Sequence, residues 1–164
     1  MIPWEKRPLE IANLLNPAFC LLIIRDAANE YFREKAEGIP YSLTFLILPI
    51  VLHRSTREML PKTKSTKMHV WLEENQNLRI GFATRISRLV PYTRETLMFG
   101  LQKGKIRIDE NAGVHPDGNL SRPTGLSQRP GDVNICREKA QFIGRWLANS
   151  GSISTIFTMW GIKP

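Results

Sequence analysis

The sequence has little cysteine. Its 164 residues include two, Cys20 and Cys136. A small secreted domain held by a disulfide framework is usually shorter and richer in cysteine, so that class is excluded. Both cysteines lie in apolar helical patterns, which favour buried free thiols. We therefore expect a protein of a reducing compartment.

Neither the N-terminal ten residues nor the apolar run in the first third of the chain has the features of a segment that crosses a membrane. The N-terminal MIPWEKRPLE has no apolar signal core. The apolar run from Tyr41 to Leu52 contains Pro49 and is shorter than the roughly 20 residues that a bilayer requires. These features predict a soluble, cytoplasmic protein with no membrane partner.

The known motifs of catalysis are absent as well. The sequence has no glycine-rich phosphate loop, nucleophile elbow or paired-cysteine zinc motif. His69 and Glu73 stand one helical turn apart, as two metal ligands would, but a third ligand is missing nearby. Asp117 and the neighbours Glu138 and Lys139 lack the spacing of a nuclease centre. We expect no catalytic residue, cofactor or metal, and hence no enzyme.

Acidic residues are fewer than basic ones. Fifteen acidic residues face 23 lysines and arginines, a net charge of +8, which favours an acidic partner such as nucleic acid or an acidic protein face. The cations form three clusters: Arg54, Arg57, Lys62, Lys64 and Lys67; Arg85 and Arg88; and Lys103, Lys105 and Arg107. Solvation, protein docking and phosphate contact all remain open for them. Aromatic residues do not interleave with the clusters, which argues against a base-stacking platform.

The first half of the chain predicts helices. Asn16 and Pro17 are typical of the start of a helix. Ser42 begins a second helix that is apolar all round, and such a helix is buried on every side. Pro49 should bend or interrupt it. Its polar continuation, HRSTREML, stops at Pro61.

Three short helices are then followed by a strand and a turn. The second of these three short helices is expected to break at Pro91, and Thr93 is expected to cap the third. Ile106 and Ile108 alternate with charged residues, as in a half-buried strand. This is the order of a winged helix. The predicted fold class is mainly α: a compact helical domain with a winged-helix-like portion and a small β-hairpin as the wing.

The C-terminal part predicts a long loop and two helices. Asp132 should cap a helix whose inward face is formed by Cys136, Ala140, Ile143 and Leu147. Ser152 should cap a last, short helix, which either closes the core or anchors a partner through Phe157 and Trp160. We expect one domain over 1–164, with helices in 1–61, the winged-helix-like portion in 62–115, a loop in 116–131 and helices in 132–164.

Several longer motifs together resemble a known family. They are RPLEIANLLNPAF, GIPYSLTFLILPIVLHRSTREMLP, LVPYTRETLMFG and FIGRWLANSGSISTIFTMWGIKP. They are similar to the middle component of three-component ABC systems, the operons that include Lamassu-type antiphage defence. The likeness covers nearly the whole chain. It is weakest over 110–131, and no role is carried onto that segment.

The resemblance implies an adaptor. Such a component would sit between an SMC-like ABC ATPase that senses DNA and an effector, often a nuclease, and would restrain the effector. The family has no catalytic residues to carry over. We expect partner contacts from Arg54, Arg57, Lys62, Lys64, Phe157 and Trp160, and nucleic-acid contacts from Lys103, Lys105 and Arg107. DNA would be bound through the complex, and weakly or not at all by this chain alone. The alternative is a free-standing winged-helix DNA-binding regulator.

Overall fold

The computed structural model describes residues 6–119 and 131–162, which form eight α-helices and three short strands. In chain order they are α1 (Leu9–Leu14), α2 (Pro17–Lys35), β1 (Ile39–Pro40), α3 (Tyr41–Val51), α4 (Arg54–Met59), α5 (Met68–Glu74), α6 (Phe82–Gln102), β2 (Ile106–Ile108), β3 (Gly113–Pro116), α7 (Asp132–Ala148) and α8 (Ile153–Met159). A 3-10 turn, Gln76–Arg79, precedes α6. The predicted class, mainly α with a small β-hairpin, is confirmed. Most of the predicted loop over 116–131 lies outside the described residues.

Side-chain caps begin two helices where the sequence predicts them, whereas the helix predicted to begin at Ser42 begins at Tyr41 without a side-chain cap. The Asn16 side chain accepts a hydrogen bond of 2.8 Å from the amide of Ala18, with Pro17 in the first helical position. Ser152 accepts one of 3.2 Å from the amide of Thr155 at the start of α8. Each cap satisfies an amide that the helix leaves without a partner. The α7 boundary differs by one residue, because Gly131 holds the cap position and Asp132 lies inside the helix.

The centre of the core is the contact between α2 and α7. The α7 face predicted from the sequence, with Cys136, Ala140, Ile143 and Leu147, is buried. Both cysteines are buried free thiols, as predicted, and burial raises the pKa of Cys20 to about 12. At the edge of this contact Arg137 donates to Asp26, and Arg145 donates to Glu30. These ion pairs fix the register of two helices that lie far apart in the sequence.

Gly144 allows α7 to approach α2 closely, and its replacement gives a first prediction. A Cβ atom at position 144 would lie 2.1 Å from the carbonyl oxygen of Ala27, which is backbone and cannot rotate away. We expect Gly144→Ala to lower the free energy of unfolding by about 1–3 kcal/mol, the usual range for overpacking. Urea denaturation of the purified chain measures it.

Gly100→Ala is the matched control for Gly144→Ala. It gains the same helix propensity, but its Cβ would meet side-chain atoms of Leu21 and Ile106, which can move. Gly100→Ala should therefore cost less. Equal stability of the two variants would show that the backbone contact between α2 and α7 is not tight.

The three strands form an antiparallel sheet in the order β1-β3-β2. Ile39 pairs with Val114, and Arg107 pairs with His115. The β2–β3 turn is held by Asp109, which accepts from the amides of Asn111 and Gly113. The hairpin therefore lies against the end of α2 as part of a small sheet, since β1 pairs with its second strand.

The predicted break at Pro91 is wrong. Pro91 lies inside α6, and Thr93, predicted as a helix cap, is buried in the middle of the helix. Proline in a helix interior costs about 3 kcal/mol. Phe82 and Leu97, on either side of Pro91, are both buried, so a continuous helix places both in the core. The three-helix order on which the winged-helix prediction depended is consequently not formed.

Candidate partner-docking surfaces

The first basic cluster divides into exposed and buried cations. Arg54 is exposed and pairs along α4 with Glu58, the Arg54 Nε lying 2.7 Å from a carboxylate oxygen. Lys64 donates to Glu34, and this bond lowers the pKa of Glu34. Lys62 is exposed, with no hydrogen bond or ion pair to the described part of the chain. These three side chains lie at the surface, and their role in partner binding stays a prediction.

The side chain of Arg57 is buried in the core, with 6% of it exposed. It is therefore not at the surface, where the predicted partner contact would need it. One guanidinium nitrogen donates to the carbonyl of Val51 at 3.0 Å and lies 3.1 Å from Cys136 Sγ. The other donates to Asp132 at 2.9 Å. Arg57 thus joins the end of α3 to the start of α7 and is not presented to a partner.

The second cluster is only partly available to a ligand. Arg85 is half-buried, which lowers its pKa, and it donates to the hydroxyl of Thr56 at 3.2 Å. Its guanidinium also lies 5.6 Å from the ring centre of Phe82. Arg88 is exposed on the same helix. Of this pair, Arg88 alone is exposed and makes no hydrogen bond or ion pair with the described residues.

The three nucleic-acid candidates lie in the turn after α6 and on β2. Lys105 donates to the carbonyl of Asn119 at 2.9 Å. The Lys103 amine lies 5.9 Å from the ring centre of Phe99. Arg107 is exposed on β2, an edge strand of the sheet. Two of the three cations are thus engaged within the chain, and a phosphate contact stays a prediction for all three.

Trp160 belongs to the core of this chain. Its ring is 1% exposed and stacks on Phe82 with 4.3 Å between centroids. Trp71 lies against it at 6.1 Å. The structure therefore supports the alternative in which α8 closes the core. Phe157, one turn earlier, is only half-buried, and it lines a groove that sequence reasoning missed.

The groove lies between α3, α6 and α8 and has a volume of about 820 Å³. It is predominantly apolar and is lined by Tyr41, Ser42, Phe45, Ile86, Val90, Arg94, Ser152, Ile153, Ser154, Phe157 and Ile162. Pockets of this size and character commonly bind ligands or apolar side chains. The signal in the sequence was α3 itself: it is apolar all round, yet Tyr41 and Phe45 are only half-buried because they face the groove.

Arg94 is the one charged residue in the groove lining. It is exposed on α6 and makes no hydrogen bond or ion pair with residues 6–119 or 131–162. A smaller depression of about 410 Å³, lined by Pro17, Met98 and Phe99 among others, also borders Arg94. This cation therefore separates two adjacent depressions along α6.

A second apolar surface lies on α1. Leu9 is 75% exposed and Leu14 is 53% exposed. Just before α1, Arg7 makes a bidentate ion pair with Glu95, with distances of 2.8 and 2.9 Å, and its guanidinium lies 5.5 Å from the ring centre of Tyr92. This anchor ties the segment before α1 to α6.

By length and composition, one helical stretch, Leu9–Lys35, is long and apolar enough to cross a membrane. It is interrupted where α1 ends and Asn16 caps α2, and 44% of its most apolar window is buried inside the protein. A core helix such as α2 passes the same test, so this is weak evidence. The absence of a membrane partner stays a prediction.

The described residues contain no group of three or more His, Cys, Asp or Glu side chains that could hold a metal ion. His69 and Glu73 are exposed on α5. His115 lies 2.6 Å from Asp109, and this contact is the main cause of the lowered pKa of Asp109. A Cβ atom at position 38 would lie 2.5 Å from His115, so Gly38 leaves room for the imidazole. The pair lies within the β2–β3 hairpin, and the His115 ring also contacts Phe32 near the end of α2, with 5.8 Å between ring centroids.

Comparison with known proteins decides the family. The family model for ABC-three component (ABC-3C) system Middle Component 3 matches residues 4–164. The chain belongs to this family. No match was found among curated proteins or among solved structures. The resemblance to a three-component ABC system is confirmed, and an ABC-3C middle component implies partner components whose identity the match does not give.

The family assignment makes the groove a candidate site for binding another component. Middle Component 3 suggests an accessory subunit, and an accessory subunit acts through surfaces that contact other components. Aromatic residues and arginine are enriched at protein interfaces, and the groove lining contains both, in Tyr41, Phe45, Phe157 and Arg94. Of the residues predicted from the sequence to bind partners, Phe157 alone lines it.

Proposed function

We propose that this ABC-3C middle component is a non-catalytic adaptor of a cytoplasmic, Lamassu-type antiphage defence complex. It bridges an SMC-like ABC ATPase to an effector such as a nuclease. While the ATPase has sensed no foreign DNA, the adaptor holds the effector inactive. DNA is contacted through the complex, and only weakly or not at all by the adaptor alone.

The groove between α3, α6 and α8 is the observation that carries this proposal. Its half-buried apolar side chains, including Phe45, Val90 and Phe157, are of the type that form the centre of protein interfaces. An adaptor needs at least two surfaces. The exposed cations Arg54 and Lys62 do not line the groove and provide a candidate second contact.

The regulator alternative has lost its main support. A winged helix requires a separate recognition helix, and the segment predicted to form it is the second half of the continuous α6. Lys103 and Lys105 at the predicted wing contact Phe99 and Asn119 of the same chain. Neither observation favours sequence-selective DNA binding, so the adaptor is the function that we retain.

Copurification from the intact operon tests the proposal. We expect this chain, when tagged, to retain both the ATPase and the effector on an affinity column and during gel filtration. We expect the isolated chain to bind DNA weakly and without sequence preference. A chain that elutes alone and selects a tight DNA sequence from a random pool would support the regulator and overturn the adaptor.

A further inference from the structure

One side of α6 carries an apolar stripe with a cation in its middle. Ile86, Val90, Arg94 and Met98 are spaced four residues apart, so they lie along one side of the helix. Ile86 and Val90 line the groove, while Met98 lines the smaller depression and is 55% exposed. Arg94 borders both. The two depressions meet at Arg94 and are treated as one track, which also includes Glu95, the partner of Arg7, on the side of the smaller depression.

The track is a side of the fold that lacks apolar cover. The sequence of α3 has the composition of a helix buried on all sides, but Tyr41 and Phe45 remain half-buried at the groove. On α8, Phe157 is half-buried and Ile153 is 41% exposed at the same place. Three helices thus present apolar side chains to one opening. Such patches on soluble proteins mark interaction sites.

We propose that this track binds an amphipathic helix of a partner component, and that an aspartate or glutamate near the middle of that helix pairs with Arg94. This inference rests on the proposed adaptor function and names the chemistry of one of its contacts. Ile86 and Met98 are twelve residues apart, about 18 Å at the helical rise. The bound helix therefore spans roughly three turns, with apolar residues on both sides of its acid.

The partner helix is expected to carry an acidic residue because an apolar helix bound over the track would desolvate Arg94. Covering the track removes water from the guanidinium, and an ion that loses water without gaining a partner is destabilised. Glu95, the nearest carboxylate in sequence, is already paired with both terminal nitrogens of Arg7. A carboxylate from the partner would satisfy Arg94 through a charge-assisted hydrogen bond. The net charge of +8 also attracts an acidic segment.

A second copy of this chain is a poorer occupant. In a two-fold symmetric dimer the same surface meets itself. The centre of the track would then bring Arg94 against Arg94, and like charges in an interface oppose association. Nucleic acid is also disfavoured, because the groove offers phosphates a single cation within an apolar lining.

Photo-crosslinking identifies the occupant directly. Val90 is replaced by p-benzoylphenylalanine in the full chain, the complex is expressed from its operon and irradiated, and crosslinked peptides are identified by mass spectrometry. We expect a peptide of the ATPase or effector with helical apolar spacing and an aspartate or glutamate within it. A crosslink to this chain itself, to a segment without a carboxylate, or to no protein in an assembled complex would overturn the inference.

Charge reversal tests the pairing. We expect Arg94→Glu to weaken assembly with the crosslinked partner by about thirtyfold or more, and reversal of the identified acid to lysine to restore it. Arg88→Glu is the matched control, because Arg88 is exposed on the same helix but does not line the groove. Equal losses for the two variants would show that net charge alone matters and would overturn the pairing.

The two proposals fail in different ways. If the wild-type chain copurifies with neither ATPase nor effector, the adaptor function is wrong. If the wild-type complex assembles and Arg94→Glu assembles as well as Arg88→Glu does, the adaptor stands and the helix-binding track is wrong.

Discussion

Replacing Trp160 with alanine is expected to lower the free energy of unfolding of the isolated chain by about 3–5 kcal/mol, as for other truncations of a large buried aromatic residue. The ring is 1% exposed and lies between Phe82 at the start of α6 and Trp71 on α5. Its loss leaves a cavity where α5, α6 and α8 meet. Urea denaturation, monitored by circular dichroism, measures the change in the free energy of unfolding.

Phe157→Ala provides the matched comparison for Trp160→Ala. Phe157 lies on the same short helix but is half-buried and lines the groove. We expect a smaller loss of stability and a larger loss of partner binding, measured as the fraction of ATPase or effector retained on the tagged chain. If Trp160→Ala melts like the wild type while the complex falls apart, Trp160 is an interface residue and its place in the core is wrong.

Replacing Arg57 with glutamate is expected to destabilise the fold by about 3–5 kcal/mol, the range for an unpaired charge in the core, because the new carboxylate is buried where Arg57 is 6% exposed. The substitution removes the bond to the carbonyl of Val51 and places a carboxylate near Asp132, which now repels it. The start of α7 would lose its connection to α3 and α4. Thermal melting and the yield of folded protein report the effect.

Arg54→Glu is the control for Arg57→Glu, since it makes the same charge change three residues earlier in α4. Arg54 is exposed and, among the described residues, forms an ion pair with Glu58 on its own helix and with no other, so its reversal should change stability little. Loss of partner binding by a folded Arg54→Glu variant would confirm the predicted role of this residue. Equal destabilisation by the two substitutions would contradict the burial of Arg57.

Local signals in the sequence predicted local structure well. Asn16 with Pro17 and Ser152 act at the helix starts where they were expected, because a cap depends on atoms within three residues. The alternation of Ile106 and Ile108 correctly predicted a strand, β2, but its burial only in part, since Ile106 is buried and Ile108 is 37% exposed. Mainly α structure with a small hairpin follows from such signals.

The errors come from contacts between distant residues. Pro91 predicts a break by its local chemistry, but burial of Phe82 and Leu97 on either side keeps α6 continuous. Arg57 has the sequence context of an exposed cation, and its core position depends on Asp132 and Cys136, 75 and 79 residues away. Which distant residues come into contact cannot be read from a single sequence.

The candidate site was the least predictable part. The apolar composition of α3 indicated burial on all sides, and the structure shows that one side is instead an open groove. Arg94 belonged to no cationic cluster in the sequence. It stands out because the fold places it alone among apolar side chains from three helices.

The pairing of α2 with α7 also has a consequence for synthesis in the cell. The ion pairs between the two helices join residues 111 and 115 positions apart. At typical translation speeds, roughly 5–20 s pass between the emergence of α2 from the ribosome and that of its partner helix. During that time the side of α2 around Ala27 lacks the helix that packs on it in the folded protein, so we expect the nascent chain to bind chaperones. An arrested chain that ends before α7 should bind them, and should become protease-resistant only after release of the full-length protein.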